Sequence, residues 1–390
     1  MTQITERYNS QVQPVKVDGK WQNTRADKET RYAHFEADKT GETTLADKER
    51  RSIDLLKAAL SRVSKPVVSC SFGIDSIITL YLVRKALTEL GRDPSDIDVI
   101  WNDTLNEFPE VRKYAKQLGQ DWNLRLLIYK PEKPLKKIID DNGGITSDYF
   151  TARKGSRKNG QPLSEKCCGT LKHKPMKLAI KENAWDLVIN GLRADESRQR
   201  LLAGLRDGEF FYSIAEWKAL TCRPLLWWKE TDIWEYVESE GIPYNALYDK
   251  NIIRNYPENN ADLVEAHAEE FAAVGLDVEA LREEQVQTVN HRQAIALESV
   301  GYSLFTPRTG CQMCPIPVKY GYLQFMRIHY PRAYNAMIHT LGYGPALMNM
   351  VPEEVKAEIR ELTGVDMSAE DAAEHLREIL EAKPCTFDHF

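Results

Sequence analysis

Four of the seven cysteines fall into two pairs, and paired thiols are where chemistry is most easily read from this chain. Cys167 and Cys168 are adjacent, while Cys311 and Cys314 form a Cys-x-x-Cys turn followed by Pro315. Four thiolates suit tetrahedral zinc or an iron–sulfur cluster. Adjacent ligands are awkward for a zinc knuckle, whose cysteines are spaced by two or more residues. The plain alternative is four free thiols. Cys70 ends an apolar run and reads as a buried core thiol. Cys222 also reads as structural. Cys385 lies in the tail Lys383-Pro384-Cys385-Thr386-Phe387-Asp388-His389-Phe390, where a thiolate near a histidine is either a nucleophile or a tail cysteine without a role.

A second group of residues suits an anion. Ser71-Phe72-Gly73-Ile74-Asp75-Ser76 stands between a strand pattern and a helix pattern. A loop entering a helix there offers amide donors and the positive dipole end, Gly73 permits close approach, and Ser71 and Ser76 add hydroxyls. Asp75 is out of place beside phosphate unless it caps the loop or holds Mg²⁺. The competing reading is an ordinary strand–turn–helix with an N-cap. The loop lacks the GxxxxGK[ST] of a Walker P-loop. Arg193, Arg198 and Arg200, in Gly191-Leu192-Arg193-Ala194-Asp195-Glu196-Ser197-Arg198-Gln199-Arg200, carry the planar fork that binds phosphate bidentately. Trp227, Trp228 and Trp234 either stack a base or, more commonly at that spacing, fill a core.

These residues need a scaffold, and the periodicity supplies one. Residues 46–64 read as an amphipathic helix with Ile53, Leu56, Leu60 and Val63 on one face. Pro66–Cys70, Ile97–Trp101, Leu124–Tyr129 and Asp186–Asn190 read as buried strands, with helices over Ile77–Leu90 and Val111–Leu118. Strands alternating with helices predict an α/β fold with a doubly wound parallel sheet. Residues 260–300 read as one or two helices and 352–382 as a helical pair broken near Gly364. The expected division is an N-terminal extension over 1–45, a nucleotide-binding α/β domain over 46–250, and a helical region over 251–390 carrying the CxxC and the tail.

Composition bounds the answer. The chain has 390 residues, 42% of them hydrophobic, which is ample for a core and excludes collagen-like and disordered classes. The net charge of −6 conceals an asymmetry. Residues 151–180 hold eight bases (Arg153, Lys154, Arg157, Lys158, Lys166, Lys172, Lys174, Lys177) against Glu165, whereas 258–300 hold ten acids against Arg282 and Arg292. A basic middle suggests an anionic ligand; a solvated loop is the bland reading. An odd cysteine count argues against a disulfide framework. No apolar run reaches the ~18 residues of a membrane span, and Met1–Arg7 lacks a signal-type stretch. The expectation is a cytoplasmic protein with no membrane partner.

The Ser71–Ser76 loop resembles the PP-loop of the ATP pyrophosphatases and of the related phosphoadenosine phosphosulfate (PAPS) reductase family. Trp101-Asn102-Asp103-Thr104-Leu105-Asn106-Glu107-Phe108-Pro109-Glu110 looks like the family segment near the adenosine. Gly191–Arg200 is similar to Gly-x-Arg-x-x-Glu-Ser-x-x-Arg, and Arg223–Trp234 to Arg-Pro-Leu…Trp…Asp-(Val/Ile)-Trp. The resemblance covers about residues 60–250 and a region around 305–335. It implies an adenine nucleotide alpha hydrolase-like fold with helical additions at the C-terminal side. It assigns ATP binding to Ser71, Phe72, Gly73, Ile74, Asp75, Ser76, Asp103, Thr104, Glu107, Gly191 and Arg193, with catalytic roles for Asp75, Ser76, Arg193, Arg198 and Arg200. Cys167-Cys168 with Lys172 and Pro175, together with Cys311 and Cys314, looks like the set that holds a [4Fe–4S] cluster in adenylylsulfate reductases.

Two chemistries share that scaffold. A pyrophosphatase uses ATP and Mg²⁺ to adenylate an acceptor, after which sulfur displaces AMP. A reductase binds adenylylsulfate and attacks its sulfur with a tail cysteine in Glu-Cys-Gly-x-His. The tail here lacks that Glu and Gly, Asp75-Ser76 matches the ATP-using loop, and the chain is longer than a typical reductase. The resemblance is therefore greatest to the iron–sulfur, sulfur-inserting members of bacterial DNA phosphorothioation systems, which implies a cysteine desulfurase or other sulfur donor and DNA as partners. Reductase chemistry is the runner-up. A non-enzymatic iron–sulfur or zinc nucleic-acid-binding module comes third, because it has no need of a pyrophosphate cradle.

Overall fold

The computed structural model describes residues 13–24, 37, 43–145, 147, 167–213, 218–314, 316–349, 351–383 and 386. They divide into two compact units. The first comprises Met1–Asp103, Pro109–Pro131 and Lys172–Asn245, the second Thr104–Phe108, Glu132–Leu171 and Ala246–Phe390.

In the first unit, a hairpin of β1 (Gln13–Val17) and β2 (Lys20–Thr24) precedes a six-stranded sheet. The sheet strands are β3 (Pro66–Ser69), β4 (Asp98–Asn102), β5 (Arg125–Tyr129), β6 (Leu187–Asn190), β7 (Phe210–Ser213) and β8 (Ala219–Cys222). Their order across the sheet is β5-β4-β3-β6-β8-β7. All neighbours run parallel except β7, which pairs antiparallel with β8. Chain order reverses between β3 and β6, so the loops after these two strands leave the same edge at the switch point. That is where open α/β sheets bind ligands. The hairpin is tied to β7 by Asn23, whose amide both donates to the Tyr212 carbonyl (2.9 Å) and accepts from the Tyr212 amide (2.7 Å).

The expected strands and helices are present with small shifts. The first long helix spans Leu45–Leu60, opened by a Thr44–Asp47 capping box and burying Ile53, Leu56 and Leu60. It ends before Val63, which is half-buried. The helix Ile74–Glu89 is buried around most of its girth, with Ile77, Ile78, Leu80, Leu82 and Val83 fully covered. Each such side chain contributes roughly 1.5–3 kcal/mol relative to exposure. Periodicity missed β7 and β8, whose short FFYS and ALTC runs pair antiparallel and are not separated by a described helix.

In the second unit, β9 (Asn251–Asn255) lies between β10 (Thr288–Val289) and β11 (Ser303–Phe305) in an antiparallel sheet. Residues 260–300 form not one or two helices but four short ones, over Asn260–Ala266, Ala268–Ala273, Val278–Arg282 and His291–Ser299. Gly275, left-handed at φ 77°, is one of the breaks that keep them short, and they enclose a core of Val264, Phe271, Leu281, Leu297 and Tyr302. Glu353–Thr363 ends at Gly364 in the left-handed conformation (φ 74°), as the sequence break predicts. No described helix is long and apolar enough to cross a membrane.

Candidate functional site

β3 delivers the chain into the Ser71–Ser76 loop. Phe72 adopts a positive φ of 57°, costly for a residue with a Cβ. Full burial and edge-on packing against Trp101 (5.5 Å) and Tyr114 (6.3 Å) hold it there. Gly73 then caps Ile74–Glu89 in extended geometry with no side-chain cap. An α-helix start without a side-chain cap directs its first-turn amides and dipole toward an incoming anion. Ser76 Oγ donates to the Gly73 carbonyl (2.8 Å) and stands 3.4 Å from Ser71 Oγ. The Cys70 thiol donates to Ser76 Oγ (3.6 Å), and burial pushes its pKa up to about 11. A neutral buried thiol is the core role expected for Cys70, and Cys222, buried in β8, is likewise pushed up by burial.

β6 delivers the partner loop. A Cβ on Gly191 would lie 2.6 Å from the Asp75 carbonyl oxygen and 2.7 Å from Thr79 Oγ1, so only glycine lets the two loops meet. Arg193 follows, almost fully buried. Its Nε donates to Asp75 Oδ1 (2.7 Å), one terminal nitrogen to Asp195 Oδ2 (3.1 Å), and the other stands 4.0 Å from Glu230. The guanidinium therefore fixes Asp75 across the switch point. Asp195 also accepts from the Glu230 amide (3.1 Å). Glu196 accepts from the Arg193 amide and pairs with Arg200. Arg198 and Arg200 occupy the first turn of Arg198–Asp207 with exposed side chains, and Ser197 caps that helix. Asp103 is buried and receives Arg112 (2.9 Å).

Ser71–Ser76, Gly191, Arg193, Arg198, Arg200 and Asp103 thus belong to the first unit, whereas Thr104 and Glu107 belong to the second. There Thr104 Oγ1 donates to Glu107 (2.6 Å) and receives the Cys311 thiol (3.6 Å). Glu107 and Cys311 form an antiparallel bridge, and the Gln312 amide donates to the Asn106 carbonyl (2.6 Å). The segment read as adenosine-contacting is, in this unit, a backbone partner of the CxxC turn. Trp227 and Trp228 are core residues, the Trp228 indole donating to Ser52 Oγ (3.1 Å).

All four paired cysteines lie in the second unit, half-buried and free of disulfides. Cys314 N–H donates to the Cys311 carbonyl (3.2 Å), closing the turn. Tyr322 and Tyr343 are buried beside it, and their phenols are pushed well above the usual range, first by burial and then by thiolate charge. Cys314 and Cys311 act on both, and Cys167 on Tyr343. The charges of thiols from both pairs thus act on one tyrosine. No group of three or more His, Cys, Asp or Glu side chains among the described residues is drawn close enough to hold a metal ion as it stands. The donor chemistry nevertheless fits a thiolate-held group, and Asn106 Nδ2, buried without an acceptor among the described residues, is a donor that sulfur could satisfy. Arg153, Lys154, Arg157, Lys158, Lys166, Pro315, Cys385 and His389 lie outside the described residues.

Thr79, Arg112, Tyr322 and Tyr343 were not found by sequence reasoning. Thr79 sits one helical turn beyond Asp75, and that spacing was a usable signal. The tyrosines have none, since chain distance from the CxxC says nothing of their reach.

A mostly parallel sheet with an uncapped loop–helix junction at its switch point, faced by a buried arginine, defines an α/β protein of PP-loop type. Residues 65–317 match the phosphoadenosine phosphosulfate reductase domain, well over half of the chain, and the protein belongs to that family. It is similar to an uncharacterized protein of Methanocaldococcus jannaschii (29% identical; 55% of this chain, and only 40% of that protein's length). It is also similar to the adenosine 5'-phosphosulfate reductase of Staphylococcus haemolyticus (25%; 56% of this chain, 81% of the relative). Sulfate adenylyltransferase subunit 2 of a Sulfurovum species is 27% identical over 53% of this chain and 67% of its own length. The family's members act on nucleotides in sulfur chemistry.

Proposed function

We propose that the protein is an ATP pyrophosphatase and sulfurtransferase that adenylates an acceptor, a DNA backbone phosphate, to prepare it for sulfur insertion. The observation that carries this reading is the Asp75–Arg193 contact across the switch point, closed over Gly191. Asp75 and Ser76 are the loop positions that match the ATP-using branch.

In this reading the acceptor oxygen attacks the α-phosphorus of ATP. The bond from that phosphorus to the α,β-bridging oxygen breaks, and pyrophosphate leaves with the bond's electron pair. Sulfur from the persulfide of a cysteine desulfurase or other donor, its S–S bond cleaved by a thiol reductant that is oxidised to a disulfide, then attacks the acceptor phosphorus at the sulfide level, and AMP departs with the electron pair of the broken P–O bond. Mg²⁺ accompanying ATP neutralises phosphate charge. The Ser71–Ser76 loop receives the leaving pyrophosphate at the helix start, while Arg193 holds Asp75 in register. Arg198 and Arg200, exposed on the next helix, meet phosphate oxygens as charge develops. Cys167, Cys168, Cys311 and Cys314 would hold the [4Fe–4S] cluster, which supplies sulfur or electron chemistry when bound. Cytoplasmic location follows from this role.

The test is pyrophosphate release from ATP and Mg²⁺ with duplex DNA. Release lost in Asp75→Ala and kept in Cys385→Ser supports the proposal. The second reading, adenylylsulfate reduction, is favoured by the similarity to the Staphylococcus reductase. Turnover of adenylylsulfate that depends on Cys385 would replace the first reading with the second.

A further inference from the structure

A Cys-x-x-Cys turn must present two sulfurs at a fixed spacing, yet two residues between ligands leave two carbonyls that the turn itself does not bond. Here both are taken by buried phenols. The Tyr322 hydroxyl donates to the Gln312 carbonyl, and the Tyr343 hydroxyl donates to the Met313 carbonyl at 2.7 Å. Both tyrosines are almost wholly buried, at 3% and 1% exposure, so water competes little for either hydroxyl.

The two tyrosines are delivered in the same way. Each is the first residue of a helix, Tyr322–His329 and Tyr343–Met348, and each follows a left-handed glycine, Gly321 (φ 89°) and Gly342 (φ 77°). The glycine lets the chain turn sharply into the helix and drop the phenol at its first position. The opposite side of the turn is fixed by main chain, through the Glu107–Cys311 bridge and the Gln312 amide on Asn106.

We propose that Tyr322 and Tyr343 are positioning residues for the Cys311–Cys314 pair, each hydroxyl clamping one carbonyl of the turn so that the thiols keep one spacing with or without metal. The inference deepens the metal-centre reading and rests on it only for its consequence, not for the clamp. Polar partners standing behind ligating residues typically change metal affinity about 10–100-fold when removed. Losing one buried hydrogen bond corresponds to about fivefold in local opening.

The experiment has two arms, each using the full chain and the variants Tyr322→Phe, Tyr343→Phe and, as control, Tyr334→Phe. Tyr334 is a buried tyrosine of the same unit whose hydroxyl has no hydrogen-bond partner among the described residues. In the first arm the metal-free protein is alkylated with iodoacetamide, and modification of Cys311 and Cys314 is followed by peptide mass mapping. The expected result is about fivefold faster labelling in Tyr322→Phe and Tyr343→Phe, more than tenfold in the double variant, and no change in Tyr334→Phe. Labelling rates equal to wild type in both single variants would overturn the clamp. In the second arm iron and sulfide are reconstituted, and loss of absorbance near 400 nm to a chelator is timed. Release about tenfold faster in the two variants than in Tyr334→Phe supports the link to the cluster. A wild-type protein that takes up no iron overturns the cluster reading, while the alkylation rates still decide the clamp.

Discussion

Gly191 offers a sharp test of how the two switch-point loops meet. In Gly191→Ala the new methyl would lie 2.6 Å from the Asp75 carbonyl oxygen, 2.8 Å from its carbon and 2.7 Å from Thr79 Oγ1. Two of these atoms are backbone, in the first turn of the buried helix Ile74–Glu89, and Thr79 Oγ1 is itself tied to the Asp75 carbonyl (2.8 Å). Neither can swing away as a flexible side-chain end would. Relief requires the helix start or the β6 end to move by several tenths of an ångström, an overpacking cost of about 1–3 kcal/mol. That is about 5- to 150-fold in the folding equilibrium. Asp75 and Arg193 would be displaced together, so nucleotide binding falls with stability. Urea unfolding followed by tryptophan fluorescence reads the first unit, which holds buried Trp101, Trp227 and Trp228. Gly119→Ala is the control. It lies within the helix Pro109–Asp121, and its methyl would meet only Leu126 at an ordinary 3.8 Å. It should be neutral or stabilising by up to about 1 kcal/mol. If Gly191→Ala unfolds at the wild-type urea concentration and binds ATP as before, the close approach across the switch point is wrong.

Other contacts set outcomes of their own. Arg193→Ala removes the guanidinium that donates to Asp75 and should cost about 2 kcal/mol in the same urea titration, while Arg198→Ala, exposed and without an ion pair among the described residues, costs less than about 0.5 kcal/mol. Ser52→Ala removes both the donor to the Pro224 carbonyl (2.7 Å) and the acceptor of the Trp228 indole, and should cost about 1–3 kcal/mol, read as a lower unfolding midpoint with a shifted tryptophan emission. Hydrogen bonds from Arg50 and then Lys57 hold the Glu89 carboxyl down to about 2. Because its folded value is depressed, its stabilisation is present above the ordinary carboxylate range and fades as pH falls from about 4.5 toward 2. The pair is partly exposed and contributes at most about 1 kcal/mol, so Glu89→Gln should flatten the acid limb slightly and leave stability above pH 6 lowered by that amount.

The local chemistry of this protein was written in its chain. Apolar runs of four or five residues separated by helical periods determine a parallel sheet, because strands buried on both faces leave no polar alternation to read. The Ser71–Ser76 loop was legible because strand, turn and helix follow one another without a break, and Arg193 because it stands just past the fourth readable strand, Asp186–Asn190. What periodicity could not supply was anything held by a single contact between distant residues. β7 and β8, no shorter than β3 and β6, form an antiparallel pair with no described helix between them, so no strand–helix alternation sets them off. The left-handed Phe72 depends on Trp101 and Tyr114, which only folding brings to its ring. Arg193 turned out to grip Asp75, Asp195 and the neighbourhood of Glu230 rather than stand as a bare cation, since three carboxylates from two loops and a helix converge on it. The sequence likewise named the CxxC turn but not what steadies it. Tyr322 and Tyr343 acquire that role from two left-handed glycines and from burial, and buried donors must find acceptors wherever tertiary packing offers them.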